Sequence, residues 1–81
     1  MVQKIKQVKE LSIGENLQRL RKNVGLSQED AVAQLQLAGL DISRETLSQI
    51  ERGRYNVRVS VLRALKEIYK VDSYDEFFRD L

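Results

Sequence analysis

Two stretches of the sequence decide how this chain folds: LRKNVGLSQED, residues 20–30, and ISRETLSQIERG, residues 42–53. In the first, Gly25 can adopt the left-handed backbone conformation that ends a helix, and Ser27 is a favourable N-cap for the next helix. The second opens on another N-cap candidate, Ser43, and closes on a glycine. Together the two stretches predict the end of one helix, the start of a second and the whole of a third.

Apolar residues at helical spacing extend this pattern in both directions. One apolar stripe precedes the first quoted stretch, and a broad apolar side runs over residues 58–69. Ser12 with Glu15, and Ser73 with Glu76, have the spacing of a capping box, in which two side chains satisfy N–H groups at a helix start. The sequence has no proline and only four glycines, so glycines should separate the helices. We predict an all-α fold, a compact bundle of five short helices.

Length and composition describe one small domain. The 81 residues are 42% hydrophobic and 32% charged, which is ordinary for a soluble globular chain. We assign residues 11–81 to that domain and residues 1–10 to an N-terminal extension that we expect to be mobile. In the extension, apolar residues recur every third position, which fits a frayed helix and an extended arm equally poorly.

Several classes of function are disfavoured by what the sequence lacks. It contains no cysteine and no histidine, so disulfides, the usual zinc sites, thiolate nucleophiles and the commonest general base are excluded. Asp75 and Glu76 are neighbours whose side chains diverge on a helix, and no phosphate-binding loop accompanies them. We therefore expect no enzymatic activity, no cofactor and no bound metal. No apolar run approaches the roughly 18 residues of a membrane span, and no signal peptide is recognisable, so we expect a cytoplasmic location.

The net charge of +2 conceals a pattern of alternating blocks. Residues 1–22 carry six basic and two acidic side chains, and residues 44–66 carry the same numbers. Residues 23–43 carry three acids and no base, and residues 67–81 carry five acids and two bases. Two interpretations stay open on this evidence: a basic face for a phosphate-rich partner, or the ordinary solvation of a small helical protein.

The predicted third helix has one wholly polar face. At 100° per residue, an arc of about 140° collects five polar side chains, whereas Leu47 and Ile50 lie on the opposite side. The five are Arg44, Glu45, Ser48, Gln49 and Arg52. Arginine can bond guanine O6 and N7, glutamine adenine N6 and N7, and glutamate cytosine N4. The alternative is that this face is simply the wet side of a surface helix.

Both quoted stretches, in this order and with helices of suitable length around them, resemble the helix-turn-helix domain of phage-repressor/Cro regulators, also called the XRE family. The resemblance runs from about residue 13 to residue 78. It implies a lambda-repressor-like bundle of four or five helices, in which the third enters the DNA major groove and the second lies across the backbone. Here residues 38–43 make a longer connection than the tight turn usual in that family, and Lys70 stands where a glycine is frequent.

The resemblance also implies a role for individual residues. The base-facing set comprises Arg44, Glu45, Thr46, Ser48 and Gln49. The backbone set, expected at the DNA phosphates, comprises Ser27, Gln28, Ser43, Arg52, Arg54, Asn56 and Arg58. Arg21 and Glu51 occupy positions that the family pairs, and we expect a structural ion pair that fixes the angle between the first and third helices.

These considerations predict a sequence-specific regulator of transcription that binds double-stranded DNA, a repressor acting as a homodimer on a palindromic operator and associated with the nucleoid. The family commonly dimerises through its C-terminal helices, which points to Tyr74, Phe77, Phe78 or Leu81; the alternative for both Phe residues is that they close the monomer core. Two other functions remain open, a small helical protein-interaction adaptor and the DNA-binding antitoxin of a toxin–antitoxin pair.

Overall fold

The computed structural model describes residues 4–5 and 13–81 of the chain. Four α-helices account for most of the described residues, which confirms the all-α prediction; the count of five helices is not confirmed. The α-helices are α1 (Gly14–Asn23), α2 (Gln28–Leu37), α3 (Arg44–Glu51) and α4 (Val59–Ile68), followed by a 3-10 helix at Tyr74–Phe78. A two-residue strand β1 (Lys4–Ile5) pairs antiparallel with β2 (Val57–Arg58), with Lys4 opposite Arg58.

The N-caps of α2 and α3 are those expected from the sequence. Ser27 Oγ accepts the Asp30 N–H at 3.0 Å, and the Asp30 carboxylate accepts the Ser27 N–H at 3.1 Å, which completes a capping box that we did not predict. Ser43 Oγ accepts the Thr46 N–H at 3.1 Å. α1 begins after Ile13 without a side-chain cap, and Ser12 of the predicted capping box lies outside the described residues.

The predicted fifth helix is a 3-10 helix, and its cap bonds one residue earlier than expected. Ser73 Oγ accepts the N–H of Asp75 at 3.1 Å rather than that of Glu76. The Glu76 N–H instead donates to the Ser73 carbonyl oxygen at 3.2 Å, which is the i to i+3 spacing of a 3-10 helix. Only Phe77 of this segment is buried, so little apolar burial favours a longer helix.

One apolar core joins all of these elements. Leu17, Leu35, Leu47 and Leu65, one from each α-helix, are fully buried, and Phe77 of the 3-10 helix joins them. Phe78 and Leu81 are exposed, so the closing role that we considered for both Phe residues holds for Phe77 alone. The sequence analysis missed Val57, whose burial depends on contacts of β2 rather than on any helical period.

Within residues 13–81, no helix is long and apolar enough to cross a membrane. The extension predicted for residues 1–10 falls mostly outside the described part of the chain. Its two described residues form β1 and are paired with β2, directly after the loop that follows α3.

Candidate nucleic-acid interface

The outer face of α3 carries the residues predicted to face bases. Leu47, Ile50 and Glu51 turn inward and are buried, which leaves the other side of the helix outward. Arg44 and Glu45 of the base-facing set are exposed, and its other members, Thr46, Ser48 and Gln49, are half-buried. The face therefore combines long exposed side chains at its N-terminal end with shorter, partly covered ones along the helix.

Ser43 and Thr46 contact each other at the start of α3. The Ser43 hydroxyl donates to Thr46 Oγ1 at 3.0 Å while accepting the Thr46 N–H. Because Ser43 donates its hydroxyl proton to Thr46, Thr46 is the member of the pair that keeps a hydroxyl proton to donate. The Ser43 hydroxyl is therefore occupied by the N-cap of α3, and its proton is not free for a phosphate.

The start of α2 lies beside the start of α3. Glu29 Oε1 is 3.8 Å from Arg44 Nε, and both side chains are well exposed. An exposed ion pair at this distance contributes little to the free energy of folding. It does place a negative charge next to Arg44, the arginine of the base-facing set.

A buried ion pair joins α1 to the end of α3. Arg21 Nε donates to Glu51 Oε2 at 2.8 Å and Arg21 Nη2 donates to Glu51 Oε1 at 3.1 Å, the two-pronged geometry that favours arginine over lysine. The side chains are 7% and 2% exposed. Arg21 Nη1 also donates to the Leu26 carbonyl oxygen at 2.8 Å. The hydrogen bond to Glu51 raises the pKa of Arg21 above its ordinary value.

Gln28 connects this ion pair to the first turn of α2. Its Nε2 donates to Glu51 Oε1 at 3.0 Å. We had expected Gln28 only at the DNA backbone, and nothing in the sequence indicates that it also contacts the carboxylate of Glu51. The network therefore spans three helices: Arg21 of α1, Gln28 of α2 and Glu51 of α3.

The hydroxyl of Tyr69 lies near the same network. It is buried and has no hydrogen-bond partner among residues 13–81. Burial, followed by the nearby negative charge of Glu51, raises the pKa of Tyr69. The hydroxyl is therefore neutral at physiological pH, and its apolar ring contributes to the core.

Gly14 sets the distance between α1 and the end of α3. A Cβ atom at this residue would lie 2.7 Å from the Ile50 carbonyl oxygen and closer still to that of Glu51. Both neighbours are backbone atoms, so they cannot move aside as a flexible side chain would. The sequence shows Gly14 as one of four glycines and gives no sign of this close approach.

The loop after α3 and strand β2 present further members of the backbone set. Arg54, Asn56 and Arg58 are exposed, as is Arg52 at the end of the helix. Arg54, Asn56 and Arg58, together with Thr46 and Tyr55, line a shallow open depression beside α3. We did not single out Tyr55, whose exposed ring lies among these arginines; an aromatic residue between basic ones was the available signal.

The C-terminal segment is held on α1 by a different side chain. Asn16 Nδ2 donates to the Phe77 carbonyl oxygen at 3.0 Å and to that of Arg79 at 2.8 Å. Of the four residues expected at a dimer contact, Phe77 is buried in the monomer. The other three, Tyr74, Phe78 and Leu81, are exposed large apolar residues at one end of the fold.

Comparison with known proteins covers most of the described residues. A family model for a helix-turn-helix domain matches residues 12–76. The crystal structure of the restriction-modification controller protein C.AhdI from Aeromonas hydrophila is similar, with a TM-score of 0.67 and 31% sequence identity. The match covers 84% of this chain and 94% of that one. No curated protein matches the chain.

Proposed function

Because the chain belongs to the helix-turn-helix domain family, we propose that it represses transcription by binding a specific operator in double-stranded DNA as a homodimer. DNA-binding regulation of transcription is the activity of the family, and the similar protein from Aeromonas hydrophila is itself a controller protein. The observation that carries the proposal is the exposed polar face of α3, with Arg44 and Gln49 among its members.

In the proposed complex, α3 lies in the major groove and the base-facing set reads base edges. Arg44 is exposed at the first turn and can reach guanine O6 and N7 with its two terminal nitrogens. Gln49 lies five residues further along and has the paired donor and acceptor that adenine requires. Glu45 accepts from cytosine N4 or orients a neighbouring arginine.

The backbone set supplies phosphate contacts on both sides of α3. The N–H groups of Gln28 and Glu29 belong to the first turn of α2, where the helix itself provides no acceptor. They lie at the positive end of the helix dipole, which favours a phosphate. Arg52, Arg54 and Arg58 extend the positive surface past the other end of α3.

Pairing of two chains supplies the length of operator that one helix cannot read. Four or five base pairs at about 1–3 kcal/mol each do not isolate one site in a genome. A twofold dimer reads two half-sites about 34 Å apart. Exposed Tyr74, Phe78 and Leu81 are the contact surface that we propose for the second copy. Occupancy of an operator within a promoter represses without any further activity, and a regulator so bound is found with the nucleoid.

Selection of bound sequences from a random duplex pool tests this function. The expected result is a palindromic preference, and Gln49→Ala relaxes the preference at one position in each half-site. Affinity for the selected duplex falls with salt by about 0.9 logarithmic units per phosphate contact for each tenfold rise in concentration. Failure to enrich any sequence, with a flat response to salt, contradicts the proposal and favours the protein-interaction adaptor.

A further inference from the structure

The carboxylate of Glu51 receives three hydrogen bonds, and only two of them come from its ion-pair partner. The third comes from Gln28 Nε2, 3.0 Å from Glu51 Oε1. A buried carboxylate can accept about four hydrogen bonds, so this additional donor helps to compensate for its burial. The same contact also has a consequence for Gln28 itself.

The charge of Glu51 determines which end of the Gln28 amide faces the protein. An ionised carboxylate can only accept hydrogen bonds, so the amide must present its nitrogen inward rather than its oxygen. That nitrogen carries two N–H groups. One is donated to Glu51, and because Gln28 is only half-buried, the second is left for a partner outside the protein.

A DNA phosphate has the same requirement as Glu51, because its oxygens also accept and do not donate. A freely rotating glutamine offers a phosphate either end of its amide and loses rotamer freedom on binding, which costs about 0.5–1.5 kcal/mol for such a side chain and corresponds to a factor of about 2 to 13 in affinity. A glutamine already oriented by Glu51 loses much less. The N–H groups of Gln28 and Glu29, for which α2 itself provides no acceptor, lie on the same turn.

We infer that the buried Arg21–Glu51 pair positions the Gln28 amide to donate to a DNA phosphate. Arg21 and Glu51 are then positioning residues that act on DNA through Gln28, in addition to holding the helices together. The inference rests on the proposed function, since it assigns Gln28 to the DNA backbone. It adds that the buried charge of Glu51 determines how well the Gln28 amide at the surface is oriented toward a phosphate.

A double-mutant cycle separates this role from a purely structural one. Replacing both partners, as in Arg21→Met with Glu51→Leu, removes the charges together and leaves neither stranded, a change that buried ion pairs often tolerate without loss of stability. Gln28→Ala is then introduced into the natural chain and into the double variant. The dissociation constant for the selected duplex is measured at several salt concentrations for all four proteins.

In the natural chain, Gln28→Ala should weaken binding about tenfold and leave the slope of log affinity against log salt nearly unchanged, because a neutral amide releases no counterion from the DNA. In the double variant, the same substitution should change affinity by less than about threefold, because the amide is no longer oriented. Gln34→Ala, which removes an exposed glutamine amide from the same helix, is the matched control and should leave affinity and slope unchanged. Equal losses from Gln28→Ala in both backgrounds would overturn the inference.

Side-chain NMR relaxation of the unmodified protein tests the same claim without any change to the core. The Gln28 amide should be rigid in the free protein on the picosecond-to-nanosecond scale, whereas the Gln34 amide should be mobile. Equal mobility of the two amides would overturn the inference even if the double variant does not fold. If the natural chain bound no duplex at all, the proposed function itself would fail, which is a different outcome from equal losses in the cycle.

Discussion

Helix α1 holds two regions of this molecule, and it holds them by different chemistry. Near its C-terminal end, Arg21 makes charged hydrogen bonds to the buried carboxylate of Glu51. Near its N-terminal end, Asn16 makes neutral hydrogen bonds to two carbonyl oxygens of the C-terminal segment. The first region includes the starting turn of α2 and the end of α3, and the second includes the residues that we propose for a dimer contact.

The difference shows how rigidity is distributed between the two proposed interfaces. The Arg21–Glu51 pair is buried, so loss of either partner leaves the charge of the other without solvent or partner. The Asn16 contacts lie nearer to water, and only Phe77 of the 3-10 helix is buried beside them. The helices that we propose to face DNA are therefore fixed within the monomer, whereas the C-terminal segment depends on few contacts and would gain the most from the second copy that we propose.

The largest expected effect comes from breaking the charged contact. Glu51→Ala should lower the free energy of unfolding by about 3–5 kcal/mol, because Arg21 is left buried and unpaired. Urea denaturation measures the loss, and the melting temperature should fall by about 4–8 °C for each kcal/mol. An unchanged melting temperature would show that the Arg21–Glu51 pair does not hold its region more firmly than the Asn16 contacts hold theirs.

Gly14→Ala should disturb the contact between α1 and the end of α3 by steric overlap rather than by charge. The added methyl group meets the carbonyl oxygens of Ile50 and Glu51, and such overpacking costs about 1–3 kcal/mol. Thermal unfolding should show a lower melting temperature for the variant, whereas alanine in place of glycine within a helix usually raises stability. A stabilised variant would contradict the close approach of α1 to α3.

Asn16→Ala tests the other region. Losing two hydrogen bonds to carbonyl oxygens should cost about 1–2 kcal/mol. Hydrogen exchange should accelerate in residues 74–81 and remain slow in α3, since the two regions use separate contacts. Equal acceleration in both would mean that the molecule responds as a single unit and that the contrast between the regions is wrong.

Lys70→Gly should stabilise the connection that leads into the C-terminal segment. Lys70 has a φ of 56°, a left-handed conformation that L-residues adopt at a cost of about 1–2 kcal/mol and glycine adopts freely. Glycine also loses more backbone entropy on folding than lysine does. After this cost is subtracted, we expect the free energy of unfolding, measured by urea denaturation, to rise by about 1 kcal/mol. A loss of stability would show that the Lys70 side chain contributes contacts worth more than this strain.

The smallest expected effect is on the stability of the fold at acidic pH. Hydrogen bonding from the Ser27 backbone lowers the pKa of Asp30 below its ordinary value of 3.8. The stabilisation by ionised Asp30 is therefore complete above about pH 4 and is lost as the pH falls through the lowered value. Asp30→Asn should reduce the acid sensitivity of the melting temperature in that range. If the melting temperatures of the two proteins depended identically on pH, the ionised side chain of Asp30 would not stabilise α2 through this capping box.

The sequence allowed some of these features to be predicted because they are local. Ser27 and Ser43 start α2 and α3 as expected, since an N-cap depends on residues within one turn. The glycines after α1 and α3 have positive φ for the same local reason. The resemblance to a known family led us to expect Arg21 beside Glu51, which composition and periodicity alone do not indicate.

The features that could not be predicted depend on contacts between distant residues. Gln28 and Glu51 are 23 positions apart, and their hydrogen bond follows from how α2 crosses α3. The close approach at Gly14 depends on the path of the α3 backbone. The C-terminal 3-10 helix has an N-cap serine and apolar residues like the α-helices, but too little of its surface is buried to extend it.

NMR titration of the free protein with the selected duplex at low ionic strength tests the central claim most directly. We expect the backbone amide signals of Arg44, Glu45, Ser48, Gln49 and Arg52 to shift, while amides of the α4 interior that lie away from DNA stay in place. A duplex with the preferred bases scrambled should shift the Gln28 signals at the start of α2 but affect the α3 signals much less. Unmoved α3 signals with the selected duplex would contradict the claim that this helix reads DNA.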